Sequence, residues 1–190
     1  MLLAKNTGSK FVDVSAQASD IFRKAWVGRG LAIGDLDNDA RLDAAVTGND
    51  GGLYVLHDST STQNYWLTLL LVGHKSNRDA IGAEVKITTA RGLRMATVTT
   101  AGSYLSSSDK CVHFGLASET AANIESRWPS GIRQTIKNVS VDKILRVDEP
   151  ESTAPPGSVP AKRKDTAVRA AHHGFFWLPT EETPDPSFSA

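Results

Sequence analysis

The middle of the chain is written in period two. In Ala83-Glu84-Val85-Lys86-Ile87-Thr88 the residues Ala83, Val85 and Ile87 share one face of an extended strand and Glu84, Lys86 and Thr88 the other. This is the pattern of a strand with one face buried. Arg91-Gly92 supplies a turn, and residues 93–100 resume in strand-forming types, so the two runs predict a hairpin. Residues 66–72 are apolar almost throughout, which suits a strand covered on both faces. Residues 110–114, 122–128, 132–136 and 143–147 complete seven strands. Seven short strands with Gly, Ser and Asn turns and no sustained helical stripe predict an all-β domain, an antiparallel sandwich or barrel.

The flanks read differently. Residues 31–34 and 44–47 look like strands on either side of an acidic loop, and 53–56 look like a third after the Asn49-Asp50-Gly51-Gly52 turn. Three strands alone bury little, so this segment is expected to lean on the domain that follows or on material outside this chain. Seven of the eight prolines fall between Pro150 and Pro186. That composition favours extended, solvated backbone. The expected division is 1–63, a partial repeat; 64–149, the β domain; and 150–190, a disordered tail carrying a short helix at 165–172 and the apolar cluster Phe175-Phe176-Trp177-Leu178.

The sharpest chemical signal is Asp35-Leu36-Asp37-Asn38-Asp39-Ala40-Arg41-Leu42-Asp43, with carboxylates at loop positions 1, 3, 5 and 9. Residues 29–60 carry six carboxylates against Arg29 and Arg41, although the whole chain has no formal net charge. Crowded carboxylates, oxygen-only ligands with no His or Cys among them, point to one structural calcium ion over zinc or copper, held by Asp35, Asp37, Asp39, Asp43 and the backbone carbonyl of Arg41. The rival is a solvated acidic turn with no ion. An EF-hand is excluded because position 12 is Val46, inside a predicted strand, where that loop needs a bidentate Glu. Position 6 is Ala40 where such loops hold Gly, at a cost of about 1–2 kcal/mol if the backbone there is left-handed.

Residues 30–46 resemble an FG-GAP repeat of the integrin alpha-chain propeller type, whose D-x-D-x-D-G-x-x-D loop binds calcium; Phe11-Val-Asp-Val-Ser resembles the segment that opens such regions. From Asn64-Tyr-Trp-Leu-Thr-Leu-Leu-Leu-Val-Gly through Lys75-Ser-Asn-Arg-Asp-Ala-Ile-Gly-Ala, Gly102-Ser-Tyr-Leu-Ser-Ser-Ser-Asp, His113-Phe-Gly-Leu and Trp128-Pro-Ser-Gly, the chain resembles the ASPIC/UnbV domain. In that family the domain follows FG-GAP repeats, including in the cartilage acidic proteins of animals and in many exported bacterial proteins. The resemblance implies a secreted or cell-surface interaction module. It also implies that a lone repeat is a piece of a longer architecture, since a propeller closes with about four to eight blades.

The remaining residues narrow the function. Balanced charge argues against nucleic acid. No apolar run approaches a membrane span, and the start of the chain does not read as a signal peptide. The single Cys111 excludes an internal disulfide. Ser103, Ser106, Ser107 and Ser108 lack a nucleophile elbow, and His57 and His113 are candidate bases with no assigned nucleophile. Cys111 and His113 alternate on one strand face and read as packing beside a core. His172-His173 offers weak metal binding. Gly82 and Gly102 suit bends, Ser76 to Asp79 local hydrogen bonding, and Trp128 an inward position before the Pro129-Ser130-Gly131 turn. A candidate surface for a protein or glycan ligand comprises Asn77, Arg78, Asp79, Tyr104 and Trp128. Asn138-Val139-Ser140 is a glycosylation sequon. The expectation is a non-catalytic, calcium-stabilised binding or adhesion module; the alternative is a carbohydrate-binding module, or a carbohydrate-active hydrolase using Glu84, Asp109 or Glu125.

Overall fold

The computed structural model describes residues 1–25, 27–49 and 51–151. The helix, the apolar cluster, the histidine pair and the disorder expected of the tail lie outside the described residues. The chain opens with β1 (Ala4–Asn6) and β2 (Phe11–Asp13), a short exposed hairpin, then α1 (Ser15–Ala18) and a single 3-10 turn at Asp20–Arg23. A three-stranded antiparallel sheet follows: β3 (Gly28–Gly34), β4 (Asp43–Gly48) and β5 (Leu53–Leu56).

The seven strands expected beyond it are all present: β6 (Tyr65–Val72), β7 (Glu84–Thr89), β8 (Gly92–Thr97), β9 (Val112–Ala117), β10 (Ala121–Arg127), β11 (Arg133–Ser140) and β12 (Lys143–Asp148). They form two sheets, ordered β11-β10-β7-β8 and β12-β6-β9. Neither closes on itself, so the sandwich is realised and the barrel is not. Period-two patterning decides the faces. Val85 and Ile87 of β7 and Ala122 and Ile124 of β10 point inward, where they meet Leu67, Leu69 and Leu71 of β6, Phe114 and Leu116 of β9 and Val147 of β12 in one core. Outward, Glu84 pairs with Arg127 and Lys86 with Glu125, each at 3.2 Å across neighbouring strands. These exposed pairs lie in high dielectric and each contributes about 0–1 kcal/mol.

The architectural readings hold at two turns. Trp128 is 1 % exposed and its indole N–H donates to Gln134 Oε1 at 3.1 Å. Gly82 sits at φ +93° and donates to the Val98 carbonyl, a conformation closed to most side chains. One pairing departs from the antiparallel expectation. β12 runs parallel to β6, from Lys143 beside Leu67 to Asp148 beside Val72, because the tight turn after β11 hands the chain to the opposite sheet.

The three-stranded sheet leans on the sandwich through the free edge of β3. Asp109 N–H donates to the Ile33 carbonyl at 2.9 Å, and Ile33 N–H donates to Ser108 Oγ at 3.1 Å. Gly30 permits this approach: a Cβ there would stand 2.5 Å from Ser106 Oγ and 2.8 Å from Thr47 Oγ1. Ile33, Asp35 and Leu42 face Thr68, Asp109, Cys111 and His113 across a small cleft. Thr68 points away from the sandwich core and is still buried, hydrogen-bonded to His113 Nδ1 at 2.8 Å. The near-continuous apolarity of β6 is thereby explained by burial on both faces.

Candidate metal centre

The acidic loop joins β3 to β4 and is wound around its own carboxylates. Asp35 accepts from the N–H groups of Asp39 and Ala40 at 3.0 and 2.9 Å, Asp37 accepts from Asp39, and Asp39 Oδ1 accepts from Arg41 N–H at 2.9 Å. Asn38 and Ala40 are left-handed, at φ 61° and 72°. Asn tolerates that region through its short polar side chain, whereas Ala does so at a cost of about 1–2 kcal/mol. The strain foreseen at Ala40 is therefore present.

Asp43 anchors the loop. It is 1 % exposed, with Oδ2 accepting from Leu36 N–H at 3.0 Å and Oδ1 from Asp58 N–H at 2.9 Å, and with His57 Nδ1 at 3.0 Å. Burial pushes its carboxyl upward, but the donors from Asp58, Leu36 and His57 outweigh burial and leave it below the ordinary value. One oxygen each from Asp35, Asp37 and Asp39 lie within 4.8 Å of one another, as do ligand atoms of Asp37, Asp43 and His57. The four predicted aspartates thus fall into two trios that share Asp37, and the second includes His57, a nitrogen donor that the expected oxygen-only set lacked and that sequence reasoning had placed among candidate bases. The signal was in the hairpin: Ala44 pairs with Leu56, which sets residue 57 beside Asp43.

The donor set suits a hard cation, being mostly carboxylate oxygen. Asp39 Oδ2 is shielded from solvent and is paired with the Arg41 guanidinium. Arg41 Nε also donates to the Asp58 carbonyl. The Arg41 cation thus already offsets part of the carboxylate charge of this loop.

The candidate ligand surface does not assemble as one patch. Trp128 is buried in the core. Asn77 spends its amide on Ile81, donating to its carbonyl and accepting from its N–H, and Asp79 pairs with Lys110. Arg78 is exposed on the same loop. Tyr104 stands 56 % exposed beneath the Arg29 guanidinium, 4.8 Å from its ring centre, and next to Leu105, 87 % exposed at φ 47°.

The catalytic candidates gain no support. Burial, then the neighbouring Asp109, pushes the Cys111 thiol up to about 12, so it is protonated at neutral pH. His113, its pKa pushed down by burial, stacks on Trp66 with ring centres 6.0 Å apart. Both face the cleft under the three-stranded sheet and not the sandwich core. Glu84 and Glu125 are engaged by Arg127 and Lys86, and Asp109 accepts from Cys111 N–H.

Sequence reasoning missed Glu149. It is 3 % exposed, and its Oε2 accepts from three successive N–H groups, His74, Lys75 and Ser76, at 2.7, 2.8 and 2.7 Å. Its Oε1 accepts from the hydroxyls of Ser76 and Ser130. Burial opposes ionisation, but the Ser130 and Ser76 hydroxyls and the backbone donors prevail and hold its pKa at about 2. No local pattern announced this, since donors and acceptor lie at opposite ends of the domain.

Fold and site together define an all-β sandwich module carrying an oxygen-rich loop. Residues 73–154 match the family model described as ASPIC and UnbV. Cartilage acidic protein 1 of Xenopus tropicalis is 26 % identical over 129 residues, covering 65 % of this chain and 20 % of that protein. The Mus musculus protein of the same name is 24 % identical over 140 residues, covering 67 % and 22 %. The chain therefore spans about a fifth of the length of the curated relatives it matches. Among the described residues, no helix is long and apolar enough to cross a membrane.

Proposed function

We propose that this chain is a non-catalytic binding module of the extracellular or cell-surface kind, in which one calcium ion stabilises the β3–β4 connection and a protein or glycan is the ligand. The observation that supports the calcium reading is the convergence of one oxygen each from Asp35, Asp37 and Asp39 within 4.8 Å. Asp35, Asp37, Asp39, Asp43 and the Arg41 carbonyl would hold the ion, and its work would be to offset like-charge repulsion and the strain at Ala40. The extracellular setting is supported by the similarity to the cartilage acidic proteins and by the resemblance of the domain to one found in exported proteins. The FG-GAP reading of residues 30–46 belongs to the same proposal.

Thermal unfolding in a calcium titration tests it. Calcium at a hundred times its Kd adds about 2.7 kcal/mol to the folded state and raises Tm, an effect a chelator reverses. Asp37→Ala is expected to abolish that response. No shift with either protein would sink the structural-metal reading, and glycoside turnover by the wild-type chain would sink the non-catalytic one.

A further inference from the structure

The Asn138-Val139-Ser140 triplet has no role in the metal loop or the core, yet the fold presents it in an unusual way. Asn138 lies on β11, an edge strand of the four-stranded sheet, so its outward side borders no neighbouring strand of that sheet. Pairing with β10 slips here: Ala122 faces Val139 and Ile124 faces Ile136, leaving Lys137 and Asn138 together opposite Asn123. Such a bulge turns a residue out of the ladder. Asn138 takes the left-handed conformation, φ 54°, which Asn tolerates better than most residues. Its N–H is satisfied by Asn123 Oδ1 at 2.9 Å, so the backbone is settled.

The triplet is anchored at its middle and open at both ends. Val139 is 6 % exposed and belongs to the core, while Asn138 and Ser140 are exposed. A bulky adduct on the Asn138 amide would project into solvent without displacing a core side chain or a ladder hydrogen bond. No other Asn in the chain is followed by any residue and then Ser or Thr. We propose that Asn138 is an N-glycosylation acceptor, modified when the chain passes through a eukaryotic secretory pathway, and that the glycan shields the open edge of β11. Transfer forms a bond between the Asn138 amide nitrogen and the sugar's anomeric carbon and breaks the anomeric carbon–oxygen bond of a lipid-linked oligosaccharide diphosphate; the lipid diphosphate leaves, and the proton lost by the amide passes to solvent. An edge strand is a template for unwanted pairing, and a hydrated glycan beside it blocks that approach.

This inference rests on the extracellular reading, and its test is arranged so that the two can fail separately. The full chain, given a cleavable secretion leader, is expressed in cultured animal cells and collected from the medium. Wild type is expected to carry a glycan that peptide-N-glycosidase removes, read by intact mass. Asn138→Gln and Ser140→Ala are expected to lose it, and Ser140→Thr to keep it. Since the leader imposes export, secreted wild-type chain without a glycan overturns the acceptor assignment and leaves the natural location unaffected. A glycan that survives in Asn138→Gln also overturns it. Ser140→Ala keeps the Asn138 backbone intact, so loss of the glycan there separates sequon recognition from misfolding.

Discussion

The sandwich and the three-stranded sheet beside it are held by different physics. All seventeen residues of the buried apolar cluster lie between Leu67 and Val147. In the three-stranded sheet Val46 is the buried hydrophobic residue, and the most buried side chain is the carboxylate of Asp43, at 1 % exposure. Leu53 and Val55 of β5 are 63 % and 58 % exposed. One region is stabilised by removing methyl groups from water. The other depends on hydrogen-bonded carboxylates, the β3 edge contact and, on our proposal, an ion. Apolar burial is indifferent to pH and metal, whereas an acidic loop is not, so the two regions are expected to respond to different perturbations.

The largest test cuts into the apolar region. Leu69→Ala removes a fully buried side chain at the centre of β6, and is expected to cost about 2–5 kcal/mol in urea denaturation, with no rescue by calcium. Rescue by calcium would mean that the two regions share their stabilisation. Next is Glu149, whose charged oxygen receives three backbone donors; glutamine keeps one acceptor oxygen for them but removes the charge. Glu149→Gln is expected to cost about 1–3 kcal/mol at neutral pH. Because the folded pKa of about 2 lies below the ordinary 4.5, the contribution is complete above about 4.5 and is lost as the pH falls toward 2. Denaturation midpoints measured over that window should fall less steeply in the variant than in wild type; parallel curves would refute this assignment. The smallest effect belongs to the loop. Ala40→Gly relieves a left-handed Ala at φ 72° and is expected to add about 1 kcal/mol, since the relief exceeds the entropy cost of Gly. A loss of stability would show that this loop conformation is not the one adopted in solution.

The sequence was most informative where information is local. Alternation along residues 83–88 placed β7 and its two faces, and the strand at 122–128 was marked as well, because a strand's side-chain period depends only on its own residues. The aspartate spacing likewise marked the loop, and the Gly-to-Ala departure marked the strained position inside it. What could not be read depends on partners distant in the chain. Glu149 gives no hint of the His74–Ser76 amides that surround it. The parallel pairing of β12 with β6 depends on how the sheets are stacked, which no period encodes. The β1–β2 hairpin escaped for another reason: its residues are exposed throughout, so no buried face imposes a pattern on strands of three residues. Trp128 was legible as an inward residue, and its burial removes it from any ligand surface.

The parallel partnership of β12 with β6 has a consequence for the order in which the molecule is made. β6 is among the first strands of the sandwich to be synthesised, and Lys143–Asp148 the last. Until that final strand emerges, β6 has one side unpaired, Val147 is missing from the core, and the amides of residues 74–76 have no Glu149 to receive them. Closing so long a loop comes late and slowly, which leaves an apolar strand edge open during synthesis. The sandwich is thus expected to complete its folding only after residue 149 has left the ribosome, with its earliest strand held waiting for its latest.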